Sequence, residues 1–148
     1  MPPTQSLDQN RLLSLIDATA YAAVAPQLEA TKLPKGAVLI EAGVPFTHAH
    51  FFNSGIGSIV VGAIDSRSIE AGLFGREGMS GFVCLLDVDQ CAQTTMVQVE
   101  GEGYRISIEA LRIACDQIAF ASQNNHAVCP CFAHAGILYN AFKQHAAD

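Results

Sequence analysis

The segment from Glu29 to Ile108 is divided into short apolar runs by turn residues, and this pattern limits the possible folds. Six runs have the composition of strands: residues 37–43, 48–55, 57–65, 68–75, 94–101 and 103–108. They recur at intervals of roughly ten residues, with glycine at many corners. Short strands at this spacing are typical of an antiparallel barrel, sandwich or roll. We therefore predict a mainly β fold over residues 29–108.

Helical patterns lie on both sides of the predicted strands. Residues 7–28 place Leu12 and Leu15 on one apolar face and start a second face after a polar break, which predicts two short helices. After the last strand, an amphipathic segment begins at Ser107, a residue suited to cap a helix. We expect a single domain over residues 1–148, with N-terminal helices over 1–28, a β-roll over 29–108 and C-terminal helices over 109–148.

The C-terminal residues show the spacing of a helix that packs on another helix. Apolar positions recur there at alternating intervals of four and three residues, as in coiled coils. Pro130 lacks a backbone N–H, so we place it in the first turn of this helix. The pattern predicts a homodimer formed through the C-terminal helix, with these contact residues: Val128, Phe132, Ala135, Tyr139 and Phe142.

Charge and composition exclude several classes of protein. The chain carries 8 Lys plus Arg against 14 Asp plus Glu, a net charge of −6, and its basic residues are dispersed, so we expect no direct nucleic-acid binding. Its apolar runs are too short to cross a membrane, and its N-terminus lacks the pattern of a signal peptide. We therefore expect a cytoplasmic protein without a membrane partner, whose 5 cysteines are thiols.

A glycine-rich stretch, "GLFGREGMSG" at residues 72–81, is the strongest candidate for a binding site. A turn of this kind can direct several backbone N–H groups at an anion. We expect the N–H groups of residues 78–82 to be available for such a ligand. Ser80 lies in a G-x-S-G pattern that lacks one residue of the nucleophile elbow, so we expect no hydrolase and no other enzyme activity.

Three segments together resemble the cyclic-nucleotide-binding sensor domain of Crp/Fnr-type regulators. They are "LPKGAVLIEAGVPFTHAHFFNSGIGSIV", "RSIEAGLFGREGMSGFVCLL" and "VQVEGEGYRISIEALRIAC", and the resemblance runs from Asn10 to Cys115. It implies an antiparallel β-roll of the jelly-roll type, a short phosphate-binding helix after the glycine-rich turn, and a C-terminal dimerisation helix. The family usually adds a helix-turn-helix, for which this sequence, ending at Asp148, leaves no room.

The resemblance also implies where an effector would bind. Nucleotide-binding members hold the ribose with a Glu, which would fall near Gly81 or Phe82 here, and the phosphate with an Arg, which would fall near Ala92 to Thr94. Neither charge is present. We therefore expect a small-molecule effector, a nucleotide or another small anion, but not cyclic AMP in the usual mode. The candidate ligand-binding residues are Glu77, Gly78, Met79, Ser80, Gly81, Phe82, Gln93 and Thr94.

Other interpretations remain open. His48 and His50 lie one residue apart on a predicted strand, which places both rings on one face, as in metal-binding cupins. The alternative function is therefore a cupin-type metal-binding β-barrel protein or enzyme that uses these two histidines. The pattern "HAVCPCFAH" adds a cysteine pair, Cys129 and Cys131, that could bind zinc or copper. We expect no metal at either place, because three or four converging ligands are normally required. A domain whose only activity is dimerisation is a further alternative.

Overall fold

The computed structural model of the protein describes residues 10–15, 18–62, 68–81, 83 and 88–121. Two short helices come first, α1 (Arg11–Leu15) and α2 (Ala18–Val24), and a 3-10 turn over Ala25–Gln27 follows them. The last element is the helix α3 (Ile108–Ala121). Between them the described chain forms eight strands: β1 (Glu29–Leu33), β2 (Val38–Ile40), β3 (His48–Phe52), β4 (Ile56–Gly62), β5 (Ser68–Phe74), β6 (Met79–Ser80), β7 (Gln93–Val99) and β8 (Gly101–Ser107).

The strands form two four-stranded sheets. Sheet A has the order β1-β8-β3-β6, sheet B has the order β2-β7-β4-β5, and neighbouring strands run antiparallel. Because the chain passes repeatedly from one sheet to the other, the two sheets wind into a roll. This arrangement confirms the predicted antiparallel β-roll with flanking helices.

The central part of sheet A packs against other elements on both faces. Phe51, Tyr104 and Ile106 pack under the helices, in a cluster that includes Leu13, Val24 and Leu111. On the other face, Phe52 packs with Val97 of sheet B, and its ring lies 4.9 Å from that of Phe74. Successive residues of a strand point to opposite faces, so one row of positions faces the helices and the next faces sheet B. We call the side of sheet A that faces sheet B the inner face.

Asn10 joins the first helix to sheet A. Its side chain is fully buried, and its Oδ1 accepts a hydrogen bond from the backbone N–H of Leu13, which caps α1. Its Nδ2 donates to the carbonyl oxygens of Phe52 at 2.7 Å and of Gly78 at 3.2 Å. Beside it, the N–H of Arg11 donates to the carbonyl of Arg76. The start of α1 therefore lies directly against the glycine-rich turn.

Replacing Asn10 with alanine is expected to lower the free energy of unfolding by about 2 kcal/mol, because a cap is lost and two buried carbonyls lose their donor. Urea denaturation followed by circular dichroism measures this change. Ser14→Ala is the matched control, because the Ser14 hydroxyl is exposed and only donates to the carbonyl of Arg11 within the same helix. A loss for Asn10→Ala no larger than that of the control would contradict the assigned role.

Most element boundaries agree with the sequence predictions. The two N-terminal helices lie within residues 7–28, and the six predicted strands correspond to β2, β3, β4, β5, β7 and β8, each shifted or shortened by a few residues. Ser107 caps α3 as predicted, since its Oγ accepts a hydrogen bond from the N–H of Ala110 at 3.2 Å. None of the helices in the described ranges is long and apolar enough to cross a membrane.

The sequence prediction was incomplete at two strands. "EATKL" forms β1, although its charged and polar residues are not typical of strands; it pairs with β8 along five positions. Met79 and Ser80 form the short strand β6, which pairs with His50 and Phe51 of β3. Both segments form strands because they pair with a neighbouring strand, since a short or polar segment adopts extended geometry through the hydrogen bonds of that pairing.

Candidate functional site

The glycine-rich stretch contains a tight turn at residues 75–78. The N–H of Gly78 donates to the carbonyl of Gly75 at 3.0 Å, and the N–H of Gly75 donates to the carboxylate of Glu77 at 3.0 Å. Arg76 and Glu77 are both exposed. Two N–H groups of the stretch are therefore satisfied within the turn, and the Glu77 carboxylate stabilises the turn itself. The expectation that the Gly78 N–H is available for an anion is wrong for this reason.

The residues after the turn are extended rather than helical. Met79 and Ser80 lie in β6, and Gly81 follows in the left-handed region with φ of +74°. The short phosphate-binding helix is therefore not present over Met79–Gly81, because pairing with β3 holds this segment in strand geometry. A Cβ at Gly81 would lie 3.4 Å from Cδ1 of Ile40, so a side chain of sheet B lies directly over Gly81.

Gln93 and Thr94, the other predicted ligand-binding residues, lie at the start of β7 and point to opposite faces of sheet B. Gln93 shares the face of Thr95 and Val97, and Val97 packs against sheet A. Thr94 lies on the other side, where its Oγ accepts a hydrogen bond from the N–H of Ala42 at 3.3 Å. Gln93 therefore lies on the strand face that turns toward sheet A, and Thr94 lies on the opposite face, although Gln93 itself is exposed at the start of β7.

Four polar residues in register cross the inner face of sheet A. Glu29 pairs with Arg105, Arg105 pairs with His50, and His50 pairs with Ser80, one residue from each strand. We call Glu29, Arg105, His50 and Ser80 the polar row. It runs from an exposed end at Glu29 to a buried end at Ser80, where it meets the glycine-rich stretch.

At the buried end, His50 and Ser80 hold β3 and β6 together. The backbone N–H of His50 donates to Ser80 Oγ at 3.0 Å, and the His50 Nδ1 lies 3.3 Å from the same oxygen. The Ser80 hydroxyl donates to Nδ1 in the neutral tautomer that carries its proton on Nε2, and it accepts from Nδ1 in the other tautomer. Ser80, one of the predicted ligand-binding residues, forms this interstrand contact.

His50 is uncharged at neutral pH. The residue is only 9% exposed. Burial, with smaller contributions from His48 and Arg105, lowers the pKa of His50 from 6.5 to about 4. Its imidazole ring can therefore accept a proton, but the protein opposes protonation as long as no negative charge lies nearby.

At the exposed end, Arg105 forms an ion pair with Glu29. The Arg105 Nε donates to the Glu29 carboxylate at 2.9 Å, and both side chains are about half exposed to solvent, at 45% and 64%. An exposed pair of this kind contributes about 0.5 kcal/mol to stability and exchanges partners easily. The remaining N–H donors of the guanidinium group are suited to an oxyanion.

The two histidines of β3 lie on one face, as predicted. Their ring centroids are 6.5 Å apart, and the His48 Nδ1 lies 3.1 Å from the hydroxyl of Thr47. No group of three or more His, Cys, Asp or Glu side chains in the described ranges could hold a metal ion. His48 and His50 therefore have the shared face of the cupin pattern, and no third ligand joins them in the described part of the chain.

The segment after the glycine-rich stretch is attached to the rest of the domain from two sides. The backbone N–H groups of Gly43 and Phe46 donate to the carbonyls of Cys91 and Asp89. The Arg112 side chain of α3 donates to the Asp89 carboxylate at 3.0 Å. Residues 88–91 therefore contact both the segment between β2 and β3 and the helix α3.

Several predicted residues lie outside the described residues. These are Phe82 of the ligand-binding set, the cysteine pair Cys129 and Cys131, and the dimer contacts Val128, Phe132, Ala135, Tyr139 and Phe142.

Three residues of the region around the site, Glu29, Arg105 and Asn10, were not predicted from the sequence. Asn10 had a recognisable signal, an asparagine directly before an apolar helical pattern. Arg105 and Glu29 had none, because their contact depends on strand register.

Comparisons with known proteins place this geometry in a known fold. The chain superposes with a TM-score of 0.66 and 16% identity on the sensor domain of the transcriptional regulator DNR from Pseudomonas aeruginosa, covering 97% of this chain and 91% of that domain. With the c-di-GMP responsive global regulator CLP from Xanthomonas campestris, the TM-score is 0.68 at 19% identity over 88% of this chain. This chain spans only 61% of that CLP chain.

A more distant match comes from a different kind of regulatory protein. The regulatory subunit of a cAMP-independent protein kinase A from Trypanosoma cruzi, bound to guanosine, superposes with a TM-score of 0.65 at 11% identity, over 93% of this chain and 48% of that one. No protein-family model and no curated protein sequence matches the chain. The structural matches confirm the fold of the Crp/Fnr sensor and cyclic-nucleotide-binding domains.

Proposed function

We propose that this chain is the effector-sensing domain of a Crp/Fnr-type transcriptional regulator and is not an enzyme. The observation that carries the proposal is the contact between Ser80 and His50, which joins the glycine-rich stretch to polar groups on the inside of the roll. An effector bound there would touch both sheets. The Arg112–Asp89 ion pair supports transmission from this region to α3.

The effector is a small molecule held without the usual Glu and Arg pair. Known relatives of this fold support a broad range of ligands, since CLP is c-di-GMP responsive and the Trypanosoma cruzi subunit binds guanosine, a nucleoside without phosphate. The polar groups nearest to the effector are Ser80, His50, Arg105 and Gln93. We further propose that the protein acts in the cytoplasm as a homodimer formed through residues 128–142.

Cyclic AMP is expected to bind weakly, and Gln93→Arg is expected to strengthen its binding at least tenfold. The substitution adds a guanidinium group on the face of β7 that turns toward sheet A, and one charged hydrogen bond contributes about 1.5–3 kcal/mol. Thr94→Arg is the matched control, because it adds the same charge on the opposite face of sheet B. Calorimetric titration of the wild type and both variants measures the three affinities.

Equal gains in affinity for the two variants would show that the added charge strengthens binding equally from either face of sheet B, which contradicts the assigned position of the site.

A wider screen tests the proposal itself. Nucleosides, cyclic nucleotides, cyclic dinucleotides and inorganic anions are titrated while the amide NMR signals of residues 78–81 and 93–95 are followed. The proposal fails if no compound causes saturable shifts in these signals.

A further inference from the structure

The polar row has an unusual distribution of charge. Its exposed end carries a matched pair, Arg105 and Glu29, while His50 in the middle is buried and neutral. The row is therefore neutral overall, although it contains two residues that can be cationic. A site of this kind has the donors for an anion but lacks the net positive charge to compensate it.

We propose that the polar row binds a small oxyanion together with a proton, which the His50 ring takes up from solvent as the anion binds. This inference rests on the proposed effector-sensing function and names the chemical class of ligand and its linkage to pH. Arg105 provides guanidinium N–H donors to the anion. His50 provides the second positive charge, which exists only while the anion is bound.

The groups around His50 explain why an anion would change its charge. In the described part of the chain, the ionisable groups near the ring are His48 on the same strand and Arg105 on β8, with Glu29 beyond Arg105. Sheet B presents Ile40 against Gly81 and Val97 against Phe52, and neither side chain ionises. Burial is the largest cause of the lowered pKa of His50, and the charges of His48 and Arg105 add to it; an oxyanion near Arg105 would offset these charges.

Protonation of His50 also frees a hydrogen-bond donor at the glycine-rich stretch. In the neutral tautomer that carries its proton on Nε2, the Ser80 hydroxyl hydrogen is donated to Nδ1 of His50, 3.3 Å away. When Nδ1 gains the proton, it becomes a donor, and Ser80 Oγ accepts from both Nδ1 and the His50 backbone N–H. The hydroxyl hydrogen is then released and can be donated to the anion. One proton is taken from solvent, and no bond other than N–H is formed.

The linkage between proton and anion is measurable, because each must raise the binding affinity of the other by the same factor. Uptake of one whole proton raises the association constant tenfold for each unit by which pH falls, and partial uptake raises it less. Sulfate is the probe, since its own charge is constant between about pH 5.5 and 7.5. Titrations of the full chain are followed by the amide NMR signals of Ser80 and Gly81, with chloride added to keep ionic strength equal.

The expected result is saturable sulfate binding whose association constant rises at least about threefold for each unit of decreasing pH. His50→Gln should remove this pH dependence, and Arg105→Gln should weaken binding at every pH. Lys32→Gln is the matched control for loss of a cation, because Lys32 pairs with Glu102 on the other face of β1 and should leave sulfate binding unchanged.

Three results would overturn the inference. The first is sulfate binding that does not depend on pH, and the second is no sulfate binding at all. The third is a pH dependence that His48→Gln removes and His50→Gln retains, which would assign the proton to His48. None of these results would contradict the proposed effector-sensing function. The ligand screen tests that function separately, because it includes uncharged nucleosides and does not depend on pH.

Discussion

Replacing Gly103 with alanine is expected to lower the free energy of unfolding by at least about 3 kcal/mol, an unusually large effect for one added methyl group. Gly103 lies in β8, between Thr31 of β1 and Phe52 of β3. A Cβ at this position would collide with the backbone carbonyl oxygen of Phe51 and would lie 3.0 Å from its carbonyl carbon. Backbone atoms in the middle of a sheet cannot move aside as a side chain can.

The matched control is Gly62→Ala at the end of β4. A Cβ at Gly62 meets no atom within 4 Å, so this substitution should change stability by less than about 1 kcal/mol, and it could stabilise the protein through the unfolded state. Chemical denaturation of the wild type and both variants gives the comparison. Similar stabilities for the two variants would show that β8 and β3 can move apart to accommodate a Cβ. Their close contact would then not require glycine at position 103.

This close contact matters for the site because β8 and β3 carry the middle of the polar row. Arg105 lies two residues after Gly103 on the same strand, and His50 lies two residues before Phe52 on its neighbour. The register that sets Gly103 against Phe52 is the register that sets Arg105 against His50. A substitution that separates the strands at one pair is therefore expected to disturb the other.

The parts of the fold that were predictable from sequence are those specified by local signals. Strands β3, β4, β5, β7 and β8 coincide with predicted runs that turn residues separate, and Ser107 directly precedes the helix that it caps. The pairing of β1 with β8 was not predictable, because Glu29 and Arg105 are 76 residues apart in sequence. Nothing in either segment alone indicates that the two meet.

The glycine-rich stretch shows the same limit at the candidate site. Its composition correctly indicated a turn, which the structure has at residues 75–78. Composition could not indicate that Ser80 would pair with His50, because glycine permits both helical and extended continuations. The choice between them depends on whether β3 offers a free edge, which is a property of the folded sheet. The polar row therefore became visible only with the register.

Acidification is expected to destabilise the protein through His50, since the folded-state pKa of about 4 lies below the ordinary value of 6.5. Between these two values the unfolded chain binds more protons than the folded one, so stability falls as pH decreases. The contribution is fully present above about pH 6.5 and is lost as pH falls to about 4. The total loss is about 3 kcal/mol, of which about 2 kcal/mol should be lost by pH 5.

The test compares the wild type with His50→Gln, which keeps an uncharged side chain that can accept a hydrogen bond from Ser80. Unfolding free energies at about pH 7 and pH 5 give the change for each protein, so any constant cost of the substitution cancels. The wild type should lose about 2 kcal/mol more than the variant over this interval. Equal losses would mean that His50 is protonated as readily in the folded protein as in the unfolded chain. Burial of the ring and its cationic neighbours would then not lower the pKa of His50. Anion binding would in that case not be coupled to proton uptake by this residue.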